Sequence, residues 1–204
     1  MCNKHNKRAP TLDNLLTTFP KKAPVDILLP AGILAAVSII FWVAKGDLRI
    51  CIGQRAVRAD DPWSGDMAFP GGKAESSDET IHDVAARETY EEVGLHLPPE
   101  RLIGRLDPVM GGSGGSRPPL AVQPLVYLLS RPPSPFKFDN ELDAAYWVSV
   151  DHLWDPTNWS TIEYARTGQH YPAIKIADHY LWGFTLGVMV KLSHQLGHPL
   201  MILS

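Results

Sequence analysis

The prediction of the fold depends first on GGKAESSDETIHDVAARETYEEVGL, residues 71–95. Ser76 and Glu79 have the spacing of a helix-capping box. Gly94 is the residue type that commonly ends a helix in the left-handed conformation. The sequence therefore predicts a helix over roughly residues 77–93.

One face of this predicted helix carries apolar and acidic residues together. At about 100° per residue, six residues share one arc: Ile81, Val84, Ala85, Glu88, Glu91 and Glu92. Carboxylates taken from water without partners are costly, and acids at this spacing repel one another. Captured Mg²⁺ or Mn²⁺ would compensate, because carboxylate oxygens are ligands that both ions prefer. The alternative is a solvated acidic helix end paired with lysines.

Residues beside the acids fit the same interpretation. Arg87 lies one turn before Glu91, so the two are expected to pair and to leave Glu88 and Glu92 for metal. Upstream, glycines 71 and 72 allow a turn forbidden to other residues, which can bring a carbonyl or N–H close to a metal or phosphate.

Composition, net charge and cysteine count limit the classes of protein that fit this sequence. The 204 residues are 45% hydrophobic and 20% charged, as in an ordinary globular domain. A formal net charge of -3 argues against nucleic acid as a partner. Cys2 and Cys51 are too few for a disulfide framework or a zinc site. We expect an intracellular, reducing location: the cytoplasm, with the mitochondrion or peroxisome as alternatives.

An uncharged run covers residues 27–44. It would suit a transmembrane helix and hence a membrane-anchored protein. The favoured alternative is a buried strand of a hairpin, because Pro30 and Gly32 interrupt the run and Lys45 to Asp47 supply a turn.

The remaining chain predicts one domain with alternating elements. Residues 1–22 form an N-terminal segment with a short helix near 11–18 capped by Thr11, and the main domain covers 23–204. Asp178 is expected to cap a last helix that Gly197 and Pro199 stop. A further helix is expected near 159–167, and strands near 34–44, 48–55, 67–69, 101–107, 121–129 and 144–149. The α/β fold class follows, with a mixed sheet covered on both faces.

One segment, GGSGGSRPP at 111–119, cannot bury a core. It predicts a mobile loop that is either a linker or a lid over substrate.

Residues 71–95 resemble the Nudix box. That motif is a glycine, five residues, a glutamate, seven residues and R-E-U-x-E-E-x-G-U, with U aliphatic. The second half is matched from Arg87 to Leu95, and seven residues separate Glu79 from Arg87. There are two departures: six residues separate Gly72 from Glu79, and Thr89 replaces an aliphatic residue.

Within the family, the chain most resembles the coenzyme A pyrophosphatase branch. The shared features are the FPGGK turn, an acid soon after it (Glu75 or Asp78), an arginine-containing segment over residues 53–72, an acidic loop over 139–153, and a W-G-x-T element over 182–185. Trp63 stands where that branch tends to have histidine, which leaves coenzyme A specificity open.

The resemblance implies an α/β/α sandwich with a mixed β-sheet, and a site with assigned roles. The metal ligands would be Glu88, Glu91, Glu92 and the carbonyl of Gly72. Glu88 would also polarise the attacking water, and Arg87 would orient the glutamates. Glu141 is either a second base or an exposed loop acid. The substrate-binding residues would be Arg55, Gly71, Gly72 and Lys73.

The expected function is metal-dependent hydrolysis of a phosphoanhydride bond, with Mg²⁺ or Mn²⁺ as cofactor. The substrate would be a nucleoside diphosphate derivative such as a coenzyme A-like, ADP-ribose-like or dinucleotide compound. The alternative is a Nudix-fold module that binds a nucleotide without cutting it; the complete set of acids favours the enzyme. A homodimer is possible. A base could stack on an aromatic ring, although such rings more often pack in cores: Trp63, Trp159, Tyr164 or Tyr171.

Overall fold

The structure is a computed structural model, and it describes residues 9–19, 33–58, 64–111, 120–131, 133–138, 141–164 and 167–202. Its main sheet has eight strands: β1 (Ile33–Ala44), β2 (Asp47–Arg55), β3 (Met67–Ala68), β4 (Gly71–Lys73), β5 (Leu102–Arg105), β6 (Val109–Gly111), β7 (Leu120–Leu129) and β8 (Leu142–Ser149). The central order is β3-β2-β1-β7-β5. β4 also pairs with β1, β6 with β7, and β8 with β2. Because β1 and β7 are parallel and the other pairs antiparallel, the sheet is mixed, as predicted.

In the described part of the chain, the other elements are four α-helices, two short 3-10 helices (Pro99–Arg101 and Pro156–Asn158) and a small antiparallel sheet. The α-helices are α1 (Leu12–Thr18), α2 (Ile81–Val93), α3 (Val150–Trp154) and α4 (Gly183–Gln195). The small sheet has the order β11 (His179–Trp182), β10 (Gln169–Ile176), β9 (Trp159–Tyr164).

Two hydrophobic cores lie on opposite faces of the main sheet. On one face, α2 packs its buried Ile81, Val84 and Ala85 against β1, β2 and β7. On the other face, α1, α3, α4 and the small sheet contribute to a larger core. The predicted sandwich with helices on both faces is therefore confirmed.

The uncharged run forms strand β1 from Ile33 onward, and residues 27–32 lie outside the described part of the chain. β1 is central, between β2 and β7, and contributes to both cores, which explains its continuous apolar sequence. Lys45 and Gly46 have positive φ values of 51° and 85° and turn the chain into β2. The predicted hairpin is confirmed. Within the described residues, no helix is long and apolar enough to cross a membrane.

The predicted helix near 159–167 was wrong, because residues 159–164 form strand β9. Half-buried Ile162 and Tyr164 alternate with exposed Thr161 and Glu163, and this period of two is that of a strand.

The predicted helix cap at Asp178 was also wrong. Ala177, with a φ of 52°, and Asp178 form the turn from β10 to β11, and the last helix begins only at Gly183. Leu181 and Trp182, which the sequence analysis placed on that helix, belong to β11. The helix ends at Gln195, just before Gly197, close to where the sequence predicted.

At the N-terminal side, α1 is capped by Thr11 as predicted, and its Leu15, with Phe19 just beyond it, is buried in the larger core. The proposed division between residues 22 and 23 lies outside the described residues. Most of the predicted loop at 111–119 does too; its first residue, Gly111, ends β6.

Candidate active site

Helix α2 carries the acidic residues, and its boundaries are set by local hydrogen bonds. It begins at Ile81, where Thr80 and Asp83 form the capping box, rather than Ser76 and Glu79 as predicted. The preceding residues form a turn instead, because the Asp78 carboxylate accepts a hydrogen bond from the Glu75 N–H at 2.8 Å. The helix ends as predicted at Gly94, whose φ is 70°.

The three glutamates are not equally buried. Glu92 is 3% exposed, whereas the side chains of Glu88 and Glu91 are 16% and 50% exposed. The prediction that all three point inward was therefore wrong for Glu91. Three further residues of α2 are buried: His82, Thr89 and Val93. They shift the centre of the buried face of the helix away from Glu91.

The two glycines before α2 bring the backbone of β4 against the acids. The Gly71 N–H donates a hydrogen bond of 2.9 Å to Oε2 of Glu92. Gly71 has a φ of 153°, and a Cβ there would collide with the backbone of Ala36 and Val37. A Cβ on Gly72 would meet the Glu88 carboxylate. Gly71 is thus required by its close approach to backbone, whereas a Cβ at position 72 would displace only the Glu88 side chain, and both contacts place this glycine segment of β4 beside the acids.

Arg87 organises the charges at the solvent side of this turn. Its guanidinium donates to Glu88 Oε1 at 3.1 Å and to Glu91 Oε2 at 3.0 Å, and it also bonds the Lys73 carbonyl at 2.9 Å. The pairing with Glu91 was predicted. Arg87 also contacts Glu88, which the sequence did not predict, and the assignment of Glu88 and Glu92 to a metal ion stays a prediction.

The main partner of Arg87 is Asp78, which the sequence analysis did not place in the site. Arg87 Nε and Nη2 donate to its two oxygens at 3.2 and 3.0 Å. Burial would raise the pKa of Asp78, but the hydrogen bonds from Arg87 and from the Glu75 N–H outweigh it and hold this pKa below its ordinary value. Asp78 in turn raises the pKa of Arg87.

The spacing of the motif contained the signal for Asp78. Five residues separate Gly72 from Asp78, as the motif requires, whereas six separate Gly72 from Glu79. Asp78 is buried and paired, while Glu79 is exposed and Glu75 lies 3.8 Å from Arg87 with an exposed side chain. Seven residues separate Glu79 from Arg87, as the motif requires, whereas eight separate Asp78 from it, so counting back from Arg87 selected Glu79 while counting forward from Gly72 finds Asp78.

The surroundings of Glu88 disfavour the ionised form of its carboxyl group. Burial raises its pKa; Arg87 opposes the shift, and the negative charges of Glu91 and Glu141 add to it. Glu141 is exposed at the start of β8, and its carbonyl accepts a hydrogen bond from Ala56 N–H at 2.8 Å. The negative charge of Glu141 thus raises the pKa of Glu88, although the two residues belong to different elements.

Two of the predicted substrate-binding residues, Lys73 and Arg55, lie at the ends of strands of the main sheet. Lys73 is exposed at the end of β4, and Arg55 is half-buried at the end of β2. The Arg55 N–H donates to the Asp66 carbonyl at 3.0 Å, and the Asp66 carboxylate accepts from Trp182 Nε1 at 2.8 Å. The W-G-x-T element therefore supports the segment that follows Arg55. On the inner side, burial and the charge of Glu92 raise the pKa of the Cys51 thiol.

The aromatic residues considered for base stacking separate into two places. Tyr164, Tyr171 and Trp182 form one cluster, with ring centroids 5.3 to 6.3 Å apart. Trp159 instead packs against the larger core and donates from Nε1 to the Leu153 carbonyl. Trp63 lies outside the described residues. Stacking of a base on any of these rings stays a prediction.

The groups that could hold a cation are all oxygen donors. They are the carboxylates of Glu88, Glu91 and Glu92 and the Gly72 carbonyl, the donor type that suits Mg²⁺ or Mn²⁺. Glu88 fits this role, since burial disfavours its anion and the guanidinium of Arg87 offsets that effect only in part. Among the described residues, no three or more His, Cys, Asp or Glu side chains are already arranged as a metal cluster.

Comparison with known proteins agrees with the fold. The sequence model of the NUDIX domain matches residues 33–166. The chain belongs to the Nudix hydrolase family, and it is a hydrolase that acts on acid anhydrides of phosphorus.

Individual relatives show the extent of the similarity. The mitochondrial coenzyme A diphosphatase NUDT8 of Homo sapiens is 30% identical over 171 residues, which are 81% of this chain and 70% of that protein. An uncharacterized Nudix hydrolase, NudL, of Salmonella dublin is 27% identical over 92% of this chain and 95% of its own. The crystal structure of a MutT/Nudix family protein from Enterococcus faecalis has a TM-score of 0.59 and 15% identity, covering 92% of this chain and 70% of that one. This last similarity shows the fold alone.

Proposed function

We propose that this hydrolase depends on a divalent cation and cleaves the phosphoanhydride bond of a nucleoside diphosphate derivative, giving two monophosphates. The observation that carries the proposal is the packing of the Glu88 and Glu92 carboxylates against the Gly71–Gly72 backbone. Such an arrangement is costly unless positive charge offsets it. A cation bound there would neutralise the diphosphate and lower the pKa of a water molecule.

The chain's own residues have separate roles in this proposal. Arg87, held by Asp78, fixes the orientation of the Glu88 and Glu91 carboxylates. Glu88 accepts a proton from the attacking water, the role that the family resemblance implies for this glutamate. Glu141, whose charge reaches Glu88, is the second candidate base.

Binding of the diphosphate is assigned to the rim of the site. Lys73 is exposed beside the Gly-Gly turn, and Arg55 lies at the end of β2. Both supply positive charge to a group whose oxygens are negative. Among substrates, we infer a coenzyme A-like compound first, because relatives from Homo sapiens and Saccharomyces cerevisiae are named coenzyme A diphosphatases. ADP-ribose-like and dinucleotide compounds are the alternatives.

Location and assembly are also proposals. The Homo sapiens and Saccharomyces cerevisiae relatives are named mitochondrial and peroxisomal, respectively. Either organelle, or the cytoplasm, would suit the reducing location predicted from the cysteines; cell fractionation would decide among them. Sedimentation analysis would test the predicted homodimer.

A substrate panel tests the function. Coenzyme A, ADP-ribose, a dinucleoside polyphosphate and a nucleoside triphosphate are each incubated with Mg²⁺, Mn²⁺ or chelator, and the products are identified by mass spectrometry. We expect two monophosphates from one compound class, and none with chelator. Glu92→Gln keeps an oxygen for the Gly71 N–H, so it should fold but lose at least about 100-fold in kcat.

The matched control for this panel is Glu79→Gln, which removes an exposed acid that lies just outside the helix. It should hydrolyse the substrate as the wild type does. Tight binding of a panel compound without any product would instead favour a non-catalytic nucleotide-binding module. Equal rates for Glu92→Gln and wild type would refute the assignment of the acids.

A further inference from the structure

A single hydroxyl group interrupts the apolar sequence of β1. Ser38 is fully buried in the central strand, with Val37 before it and Ile39 after it. A buried hydroxyl that lacks a hydrogen-bond partner is destabilising, so its contacts show what it does.

Those contacts lead into the helix that carries the acids. Thr89 Oγ1 donates to Ser38 Oγ at 2.8 Å, and Ser38 Oγ donates to the Ala85 carbonyl at 3.3 Å. Thr89 is also fully buried. A threonine inside a helix often bonds its own preceding turn, but here its hydroxyl reaches across to the sheet. These two hydrogen bonds therefore join one turn of α2 to one position of β1.

The backbone of the same serine holds the other part of the site. Ser38 N–H donates to the Pro70 carbonyl at 2.7 Å, directly before Gly71. Ser38 thus contacts the glycine turn through its backbone and α2 through its side chain. Thr89 follows Glu88 directly and precedes Glu92 by three residues.

We propose that Ser38 and Thr89 are positioning residues that fix the height of α2 above the Gly71–Gly72 turn and so the placement of the Glu88 and Glu92 carboxylates. This inference rests on the proposed function for its effect on catalysis. An aliphatic residue at position 89, as the Nudix motif has, would fill the same volume without a directional contact. The hydrogen bond between the Thr89 and Ser38 hydroxyl groups restrains the distance and angle at which α2 packs against β1.

Three variants test the pair. Thr89→Val keeps the shape and removes the hydroxyl, Ser38→Ala removes the hydroxyl at the other end of the hydrogen bond, and Thr89→Ser keeps the hydroxyl. The matched control is Ser193→Ala, because Ser193 is also fully buried and donates to a helix carbonyl, that of Val190, at 2.6 Å. Ser193 belongs to α4, on the opposite face of the sheet.

For Thr89→Val and Ser38→Ala, which remove hydrogen bonds between α2 and β1, we expect kcat to fall about 5- to 20-fold while KM stays within about twofold of the wild type. Small displacements of reacting groups act mainly on kcat. Thr89→Ser should have a kcat within about twofold of the wild type. The double variant with Thr89→Val and Ser38→Ala should lose no more kcat than the more strongly affected single variant, because both changes break the same hydrogen-bonded connection. Ser193→Ala should lower the melting temperature and leave kcat unchanged. Wild-type kcat in Thr89→Val, or an equal loss in Ser193→Ala, would overturn the proposal.

A second readout does not depend on activity. The Gly71 N–H is bonded to Glu92, so its hydrogen exchange reports the contact between turn and helix. Exchange at Gly71 should become faster in Thr89→Val and Ser38→Ala but not in Ser193→Ala; unchanged exchange overturns the proposal. If the wild type cleaves no compound of the panel, the proposed function fails, and exchange at Gly71 alone decides this inference. If Thr89→Val does not fold, Ser38→Ala carries the same comparisons.

Discussion

The N–H of Gly71 donates a hydrogen bond of 2.9 Å to the carboxylate of Glu92, 21 residues further along the chain. This contact joins the glycine turn to the last turn of α2. Since Glu92 is 3% exposed, this N–H replaces part of the water that a charged carboxylate would otherwise bind. The glycine segment and the last turn of the helix are therefore held together by a direct contact.

Substituting the two glycines should separate backbone strain from direct effects on the acids. Gly71→Ala places a Cβ against the backbone of Ala36 and Val37 at a positive φ, so it should lose about 1–3 kcal/mol of unfolding free energy from strain alone. Gly72→Ala meets only the Glu88 carboxylate, so it should fold and lose kcat as Glu88 moves away. Denaturant unfolding and steady-state kinetics measure both. Equal stability of the two variants would contradict this explanation.

Asp78→Asn should destabilise the protein, because Arg87 would lose its main partner in a mostly buried position. We expect a loss of about 2 kcal/mol at neutral pH, less than for a fully buried pair because the Arg87 side chain is partly exposed. Glu79→Gln, next in sequence and exposed, should be neutral.

The pH dependence of this loss has a definite sign. The pKa of Asp78 is lower in the folded than in the unfolded chain, so its stabilisation is present above the unfolded pKa of about 3.9 and is lost as pH falls towards the folded pKa. Urea unfolding of wild type and Asp78→Asn from pH 6 downwards should show the two stabilities converging in acid. A constant difference over that range would show that the charge of Asp78 does not matter.

Glu88 should titrate above the ordinary pKa of a glutamate in the protein without metal, because burial and the charges of Glu91 and Glu141 disfavour its anion. Glu141→Gln removes one like charge and should lower this pKa, although residue 141 is far from 88 in sequence. Carbon-13 NMR titration of the Glu88 carboxyl measures the shift. Asp151→Asn, an exposed acid on α3, is the control and should have no effect.

Trp182→Phe should weaken substrate binding more than catalysis. It removes the N–H that holds the Asp66 carboxylate, and the Asp66 carbonyl holds the backbone of Arg55. We expect KM to rise about 2- to 10-fold, the range for one hydrogen bond, with little change in kcat. Trp159→Phe removes a similar N–H from the Leu153 carbonyl away from Arg55 and should leave KM unchanged. A lower kcat with an unchanged KM would count against a binding role for this segment.

Local signals in the sequence were sufficient for much of the fold. The uncharged run and the Lys45-Gly46 turn predicted the first hairpin, because a central strand is apolar on both faces. Gly94 predicted the end of α2, because it adopts a left-handed conformation that other residues avoid. The small sheet was missed: residues 159–164 were predicted to be helical although their burial alternates as in a strand, and no strand was predicted over 169–176 or 179–182.

The sequence by itself determined which residue types stand at the site: closely spaced acids, an arginine and a pair of glycines, all within 22 residues from Gly71 to Glu92. Only the tertiary structure decided how they are used. It added Asp78 to Glu91 as a partner of Arg87, left the Glu91 side chain half exposed, and brought Ser38 to Thr89. Helical spacing fixes the direction of a side chain relative to its own helix, whereas burial and pairing depend on the strands packed against it, which come from distant parts of the chain.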